Sequence, residues 1–345
     1  MAGWYIERGP ESDVVISSRV RFARNFQGYP FPAKMNLEQS AKVVTEVKNS
    51  MLSEEISLAN EITFVDINNL SNTDKQALVE KHLISQELAA MKTQRGALIS
   101  ADEKISIMVN EEDHLRIQCL FSGMQLESAW RLCNTIDNIL EKKIDFAFNN
   151  EYGYLTCCPT NIGTGMRASV MLHLPALVMT GYIRQILEAC GKLGMAIRGL
   201  YGENSEASGN MFQISNQVTL GQSEEDIVSN LNNVSGQIIE QERMLRGELY
   251  KQNAYRFEDK VMRSLGIFGN ARIISSEESM KLISDVRVGI DMGIIKDIEI
   301  ETLNELMLYI QPASLQKYAG RQLSPDERDI IRAEVVRKNL TKASS

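Results

Sequence analysis

The chain has 345 residues, 43% apolar and 24% charged, with a formal net charge of −8, the balance of a soluble globular protein with room for one large domain and a smaller one. The negative charge excludes general affinity for nucleic acid or anionic membranes, so a bound anion must meet a local cluster of positive residues. No apolar run reaches membrane-spanning length and the N-terminus has no signal-peptide core, which points to the cytoplasm; five cysteines without a C-x-x-C pair and three histidines without ligand spacing argue for reduced thiols and against a zinc site.

In chain order, "SDVVISSRVRF" (12–22) predicts a strand. Helices are predicted over 37–60 and 72–91, with a strand at 62–67 between them. "ALISADEKISIMVN" and "HLRIQCLF" predict a hairpin, and 126–143 has helical apolar spacing. Strands follow at "YLTCC", "RASVMLHLP" and "MAIRGL", with a helix over 177–193 between the last two, and then "NMFQISNQVTLG". This mixture predicts an α+β domain whose mainly antiparallel sheet is flanked by helices. From Ser223 the pattern is helical throughout, starting with a capping serine. A boundary near 250 divides an α+β domain, 1–250, from a helical one, 251–345.

Three features carry chemistry. "NEEDH" (110–114) crowds three carboxylates into a hairpin connection, where each raises the cost of ionising the others and Asn-Gly or Asp-Gly would be ordinary. Arg19 and Arg21 project from one face of a strand, and Arg116, Arg167 and Arg198 sit at the ends of other apolar strands. Any one could be a solvated surface residue; five converging guanidinium groups suit a polyphosphate. "NIGTGMRA" echoes a dinucleotide fingerprint, but a strand rather than a helix follows it, and there is no Walker lysine, H-R-D or D-F-G.

The blocks "SSRVRFARN", "VNEEDHLRI", "CPTNIGTGMRASV" and "RGLYGENSEA…QISNQVTLG" resemble, in order, those of the phosphagen kinases, the family of creatine and arginine kinases. "KHLIS", "YGENSEA" and "RDIIRA" are most similar to its bacterial branch of protein-arginine kinases. The resemblance implies an ATP- and Mg2+-dependent transfer to a guanidino group, with Glu112 and Glu203 as the gripping carboxylates and Cys158 as the cysteine beside them. It implies nucleotide contacts at Ser17, Ser18, Arg19, Val20 and Arg21, at His82 and at Arg116. It adds Arg167, Ala168, Ser169, Val170 and Met171, then Arg198, Gly199, Leu200, Tyr201 and Gly202. It implies no dedicated protein site for the metal, which is held through ATP.

Two departures bear on the substrate. Only 18 residues precede Arg19, where metabolic members carry a helical domain, and Asn204 stands where they usually have His. Both favour arginine presented on a protein over a free guanidine, although a kinase of free arginine and a non-catalytic Clp-protease adaptor remain alternatives. The branch further implies an activator McsA, a heat-shock repressor CtsR, the protease ClpC–ClpP and a homodimer or higher homo-oligomer. Finally, "SPDERDIIRAEVV" (324–336) predicts a capped helix with Arg328 and Arg332 on one face. It matches the R-D-x-x-R-A motif of the branch, which implies a second, allosteric phosphoarginine site at Arg328, Asp329, Arg332 and Ala333.

Overall fold

The computed structural model describes residues 3–53, 61–199 and 207–343. The chain begins with strand β1 (Val15–Arg24), helix α1 (Leu37–Met51), β2 (Ile62–Asp66), α2 (Asn72–Glu80) and α3 (Gln86–Ala90). β3 (Gly96–Ser100), β4 (Ile105–Val109), β5 (Leu115–Ser122) and α4 (Leu126–Glu141) follow. A two-residue ribbon, β6 (Phe148–Asn149) and β7 (Gly153–Tyr154), leads to β8 (Met166–His173), α5 (Pro175–Met179) and α6 (Ile183–Lys192). β9 (Met195–Gly199), β10 (Met211–Asn216) and the long α7 (Glu224–Gln252) complete the first part. Five helices then run to the end: α8 (Ala254–Asn270), α9 (Ser276–Asp291), α10 (Ile300–Tyr309), α11 (Pro312–Ala319) and α12 (Pro325–Ala343).

Eight strands form one sheet in the order β2-β3-β4-β5-β1-β8-β10-β9, with every neighbouring pair antiparallel. The fold class is therefore the α+β arrangement expected. Two predicted helices are broken. The 72–91 segment stops at Glu80 and restarts at Gln86, with His82 between them in the left-handed region at φ 59°. The 177–193 segment is split by Gly181 at φ 77°. Glycine and a positive φ end helices, and apolar periodicity alone does not register them.

Period-two alternation gives the sheet two unlike faces. Val20, Phe22, Ala168, Val170 and Ile214 point into the main core, where α1, α4 and α7 cover them. On the opposite face Ile16 and Met171 pack against the second core, built by α8 to α12. A third, smaller cluster joins α2 and α3 to Ala97, Ile99 and Met108. The space left between those last two clusters is the cleft.

The end of β1 is fixed by a buried ion pair. Arg24 donates to both Asp137 oxygens on α4 at 3.0 and 2.6 Å, and to the Ala23 and Thr164 carbonyls. Tyr154 lies over its guanidinium, 3.5 Å from ring centroid to Cζ. Removing one partner strands a buried charge. Asp137→Ala is expected to lower unfolding free energy by about 3–5 kcal/mol in urea titrations, whereas a loss below about 1 kcal/mol would place the pair among weak surface bridges.

Candidate active site

The cleft has a volume of about 1350 Å3 and is lined by Arg19, Arg21, His82, Glu111, Glu112 and Arg116, among others, with Cys157 at one side. The C-terminal helices contribute Ser276, Glu277, Met280, Gln311 and Pro312 to its wall. A second cavity of about 290 Å3 shares Arg19, Glu80 and His82, and adds Trp4, Ser17, Ser169 and Met171.

The arginines crowd one another. Arg21 is in register with Arg167 across the β1–β8 ladder, a placement that is unfavourable for like charges. Burial and then the charges of Arg19, Arg116 and Arg167 push the Arg21 pKa well down, while Arg19 is lowered to about 10 by burial and Arg116. Arg167 is lowered by burial and by Arg198, which is exposed on β9. The Arg21 Nε is buried without a hydrogen-bond partner. Arg19 is oriented by Gln213, whose Oε1 accepts from Nη2 at 2.8 Å, and more loosely by Ser169 Oγ at 3.5 Å. Charge concentrated in this way, with one orphaned donor, fits a polyphosphate. His82 is held near pKa 4 by burial and by Arg19, so it is neutral at pH 7 and adds no charge to the cluster.

The acidic connection resolves into three different jobs. The Glu111 side chain is 1% exposed and its Oε1 accepts from Arg116 Nη1 at 2.6 Å. The Glu112 side chain is 40% exposed, with its Oε2 3.5 Å from Arg116 Nη2, so it is the acid free to meet a ligand. Burial and then Asp113 raise its pKa above the usual carboxylate range, with Arg116 opposing. Asp113 is buried; its Oδ1 accepts from Asn25 Nδ2 at 2.6 Å and from the Cys157 amide at 2.7 Å, tying the turn to the cysteine loop. The turn itself starts at Asn110, which has φ 60° and donates from Nδ2 to the Ser40 and Gln94 carbonyls at 2.9 Å each. His114 closes it: Nδ1 accepts from the Phe26 amide at 2.9 Å and Nε2 faces the Pro30 carbonyl at 3.0 Å, partners that suit the neutral ring.

Cys158 Sγ lies 3.1 Å from Thr160 Oγ1, near enough to Arg167 to influence it electrostatically. Cys157 is exposed in the cleft; burial and then Asp113 raise its pKa, which keeps it a thiol. The glycines beside this loop serve the backbone. A Cβ on Gly163 would meet the Thr219 carbonyl oxygen at 2.4 Å, and one on Gly165 that of Ala23 at 2.6 Å. Both have positive φ, so "NIGTG" needs glycine for close backbone approaches, Gly163 to the segment after β10 and Gly165 to β1.

A family model for the ATP:guanido phosphotransferase C-terminal catalytic domain matches residues 42–245, and one for the protein-arginine kinase McsB C-terminal domain matches residues 254–345. The chain belongs to the ATP:guanido phosphotransferase family. It is similar to a protein-arginine kinase of Bacillus subtilis, 49% identical over 340 residues that span 99% of this chain and 93% of that one. It is similar also to that of Moorella thermoacetica, 50% identical over 338 residues that span 98% and 97%. Among solved structures, the duplicated taurocyamine kinase of Schistosoma mansoni with transition-state analogue components matches with TM-score 0.60 and 28% identity, over 68% of this chain and a 33% share of that longer one. A lombricine kinase shares the fold, with TM-score 0.61 and 24% identity over 70% of this chain and 69% of its own.

Within this family frame, several expected nucleotide contacts turn away from the cleft. Val20, Ala168 and Val170 lie in the main core, because alternation sends them to the other face of the sheet. Ser18 is buried there too, donating to the Gly123 carbonyl at 2.8 Å and accepting from the Gln125 amide at 2.9 Å. Ser17, Ser169 and Met171 line the second cavity, and Gly199 ends β9. Glu203, Leu200, Tyr201 and Gly202 lie outside the described residues. Glu111 and Asp113 were singled out with the acidic connection but not given separate roles; Gln213 and Asn25 were missed, although Gln213 lies on a predicted strand. Among the described residues, no group of three His, Cys, Asp or Glu could hold a metal ion.

The arginine crowding makes a stability prediction. Arg21→Met keeps the unbranched stem of the side chain and removes one of two facing charges. The ligand-free variant is expected to be as stable as wild type or up to about 1 kcal/mol more so. The same variant loses most of the stabilisation that saturating ATP gives, about 2.7 kcal/mol at a hundredfold excess over Kd. Calorimetric melts with and without ATP read both; a full ATP shift in the variant removes Arg21 from the phosphate site.

Proposed function

We propose that this chain transfers the γ-phosphoryl group of ATP to the guanidino group of arginine side chains in proteins, giving phosphoarginine. The observation that carries the reading is a cleft in which crowded arginines face Glu112, the carboxylate of the acidic turn that is left available. The relatives named protein-arginine kinase, about half identical over nearly the whole chain, support the choice of acceptor.

A guanidinium has a pKa above about 12 and is a poor nucleophile until oriented and relieved of a proton. Glu112 does both, and by the family resemblance Glu203 shares the task. Arg19, Arg21, Arg116, Arg167 and Arg198 bind the phosphate oxygens and spread charge as the bond from γ-phosphorus to the β,γ-bridging oxygen breaks. The N–P bond forms in line, the guanidino proton passes to the carboxylate, and ADP leaves. Magnesium brought with the nucleotide supplies further neutralisation of the phosphates. Cys158 stands beside Arg167 as a positioning group at the guanidino end.

The division near residue 250 then separates a catalytic domain from a regulatory one. In α12 the capping box forms, with Ser324 N donating to Glu327 Oε2 at 2.8 Å and Glu327 N to Ser324 Oγ at 3.3 Å. Arg332 is buried, contrary to a shared open face with Arg328. Its Nε donates to the Ile310 carbonyl and its Nη1 to that of Ile274, each at 2.9 Å, and Nη1 also pairs with Asp329. Ala333 is in the second core. Arg328 and Asp329, both half-buried, are therefore the pair offered to phosphoarginine, with Arg332 orienting Asp329. By the same family reading the enzyme works in the cytoplasm as a homo-oligomer with McsA, CtsR and ClpC–ClpP.

Incubation with ATP and a protein is expected to give acid-labile, base-stable phosphate on arginine; phosphate on Ser, Thr or Tyr, or on free arginine alone, overturns the reading. Glu112→Gln and Glu203→Gln are each expected to lose at least about a hundredfold in turnover while still binding ATP. Because the raised Glu112 pKa must be passed for the base to be ionised, activity falls on acidification at a pH above the ordinary carboxylate value of about 4.3, and the pH–rate profile measures that limb. Free phosphoarginine titrated into Arg328→Ala/Asp329→Ala should bind at least about tenfold more weakly than to wild type, the loss of a charge-assisted clamp. Equal binding would leave α12 as scaffold.

A further inference from the structure

Glu80 is the last residue of α2 and only 8% exposed. Its carboxylate leaves the sheet domain and caps a helix of the other one. Oε1 accepts from the Ala313 amide at 2.7 Å, and Oε2 from the Ser314 amide at 3.0 Å and the Ser314 hydroxyl at 3.1 Å. Those amides are orphan donors of the first turn of α11, where the helix dipole also favours negative charge. Glu80 and Gln311 line both cavities, and His82 follows two residues later through a left-handed turn.

The same α11 segment is held from the far side by α12. Arg332 donates to the carbonyl of Ile310, the residue before the cleft-lining Gln311 and Pro312, and to that of Ile274, two residues before the cleft-lining Ser276. A second link between α2 and α11, Lys317 Nζ to Asp74 Oδ1 at 2.9 Å, is largely exposed and so has little strength of its own.

We propose that Glu80 is a positioning residue for the nucleotide, clamping α11 against α2 so that His82 and the Gln311–Pro312 wall keep the spacing the cleft requires. Held by Glu80 on one side and Arg332 on the other, α11 is also the rigid piece through which α12 and the nucleotide cleft sense each other. That second half rests on reading Arg328 and Asp329 as a phosphoarginine site; the first half does not.

The test uses the full chain with ATP, a protein substrate and free phosphoarginine. In Glu80→Gln the amide turns a donor toward an N–H, and KM for ATP is expected to rise about tenfold with kcat at saturating ATP changed less than about threefold. Glu80→Asp, which keeps the charge, should recover part of that loss. Asp74→Asn should move KM by less than about twofold. Phosphoarginine should bind Glu80→Gln as it binds wild type, yet no longer change its KM for ATP. An unchanged KM in Glu80→Gln overturns the proposal, as does an equal rise in Asp74→Asn. Should Glu80→Gln fail to melt cooperatively, Ser314→Ala removes one donor only, and its KM should rise about two- to threefold; no rise overturns the proposal. If wild type binds no phosphoarginine, the relay falls with the reading of α12, while the KM comparison still decides the clamp.

Discussion

The structure is organised around an electrostatic conflict. Arg21 and Arg167 face each other across adjacent strands at the centre of a sheet, with Arg19 and Arg116 beside them. Nothing in packing calls for that. The opposite face of the same two strands is a continuous apolar layer that holds the fold whatever the arginines do. The rigid side therefore offsets the repulsion of the arginine side, which an anion bound there would relieve.

The acidic turn answers that cluster with a division of labour. Three adjacent carboxylates would repel if they shared one environment. Instead Glu111 is neutralised by Arg116, Asp113 is turned inward onto Asn25 and the Cys157 amide, and Glu112 alone looks out. The cost of ionising Glu112 stays raised, which suits the proton-transfer role proposed for it.

Alternation made much of this legible. Arg19 and Arg21 two apart, and Arg167 with Ser169, share a face in the sequence and share it in the structure. The same rule, applied one residue further, removes Val20, Ala168 and Val170 from the cleft, so a contiguous motif overstates which side chains touch a ligand. Non-local events were not legible. The break of 72–91 at His82 is imposed by docking on β3, β4 and α11, against a periodicity that reads as one helix. Asp113 reaches a loop 44 residues away, and Glu80 a helix 233 residues away, with no local pattern to announce either. Arg332, spaced as a surface residue, is drawn inward because two carbonyls need a donor there.

The place of β1 has a consequence for biosynthesis. β1 is a central strand of the finished sheet, yet its two neighbours begin only at Leu115 and Met166. At roughly 5–20 residues per second, β1 leaves the ribosome roughly ten to thirty seconds before its second partner exists. Both its edges are open until β5 is made, and one stays open until β8 is, the condition under which strands of different chains pair wrongly. One side of β1 is strongly apolar, but the other carries Arg19 and Arg21, and charge on a waiting strand discourages such pairing. The cations proposed to gather phosphate thus shield the nascent chain first.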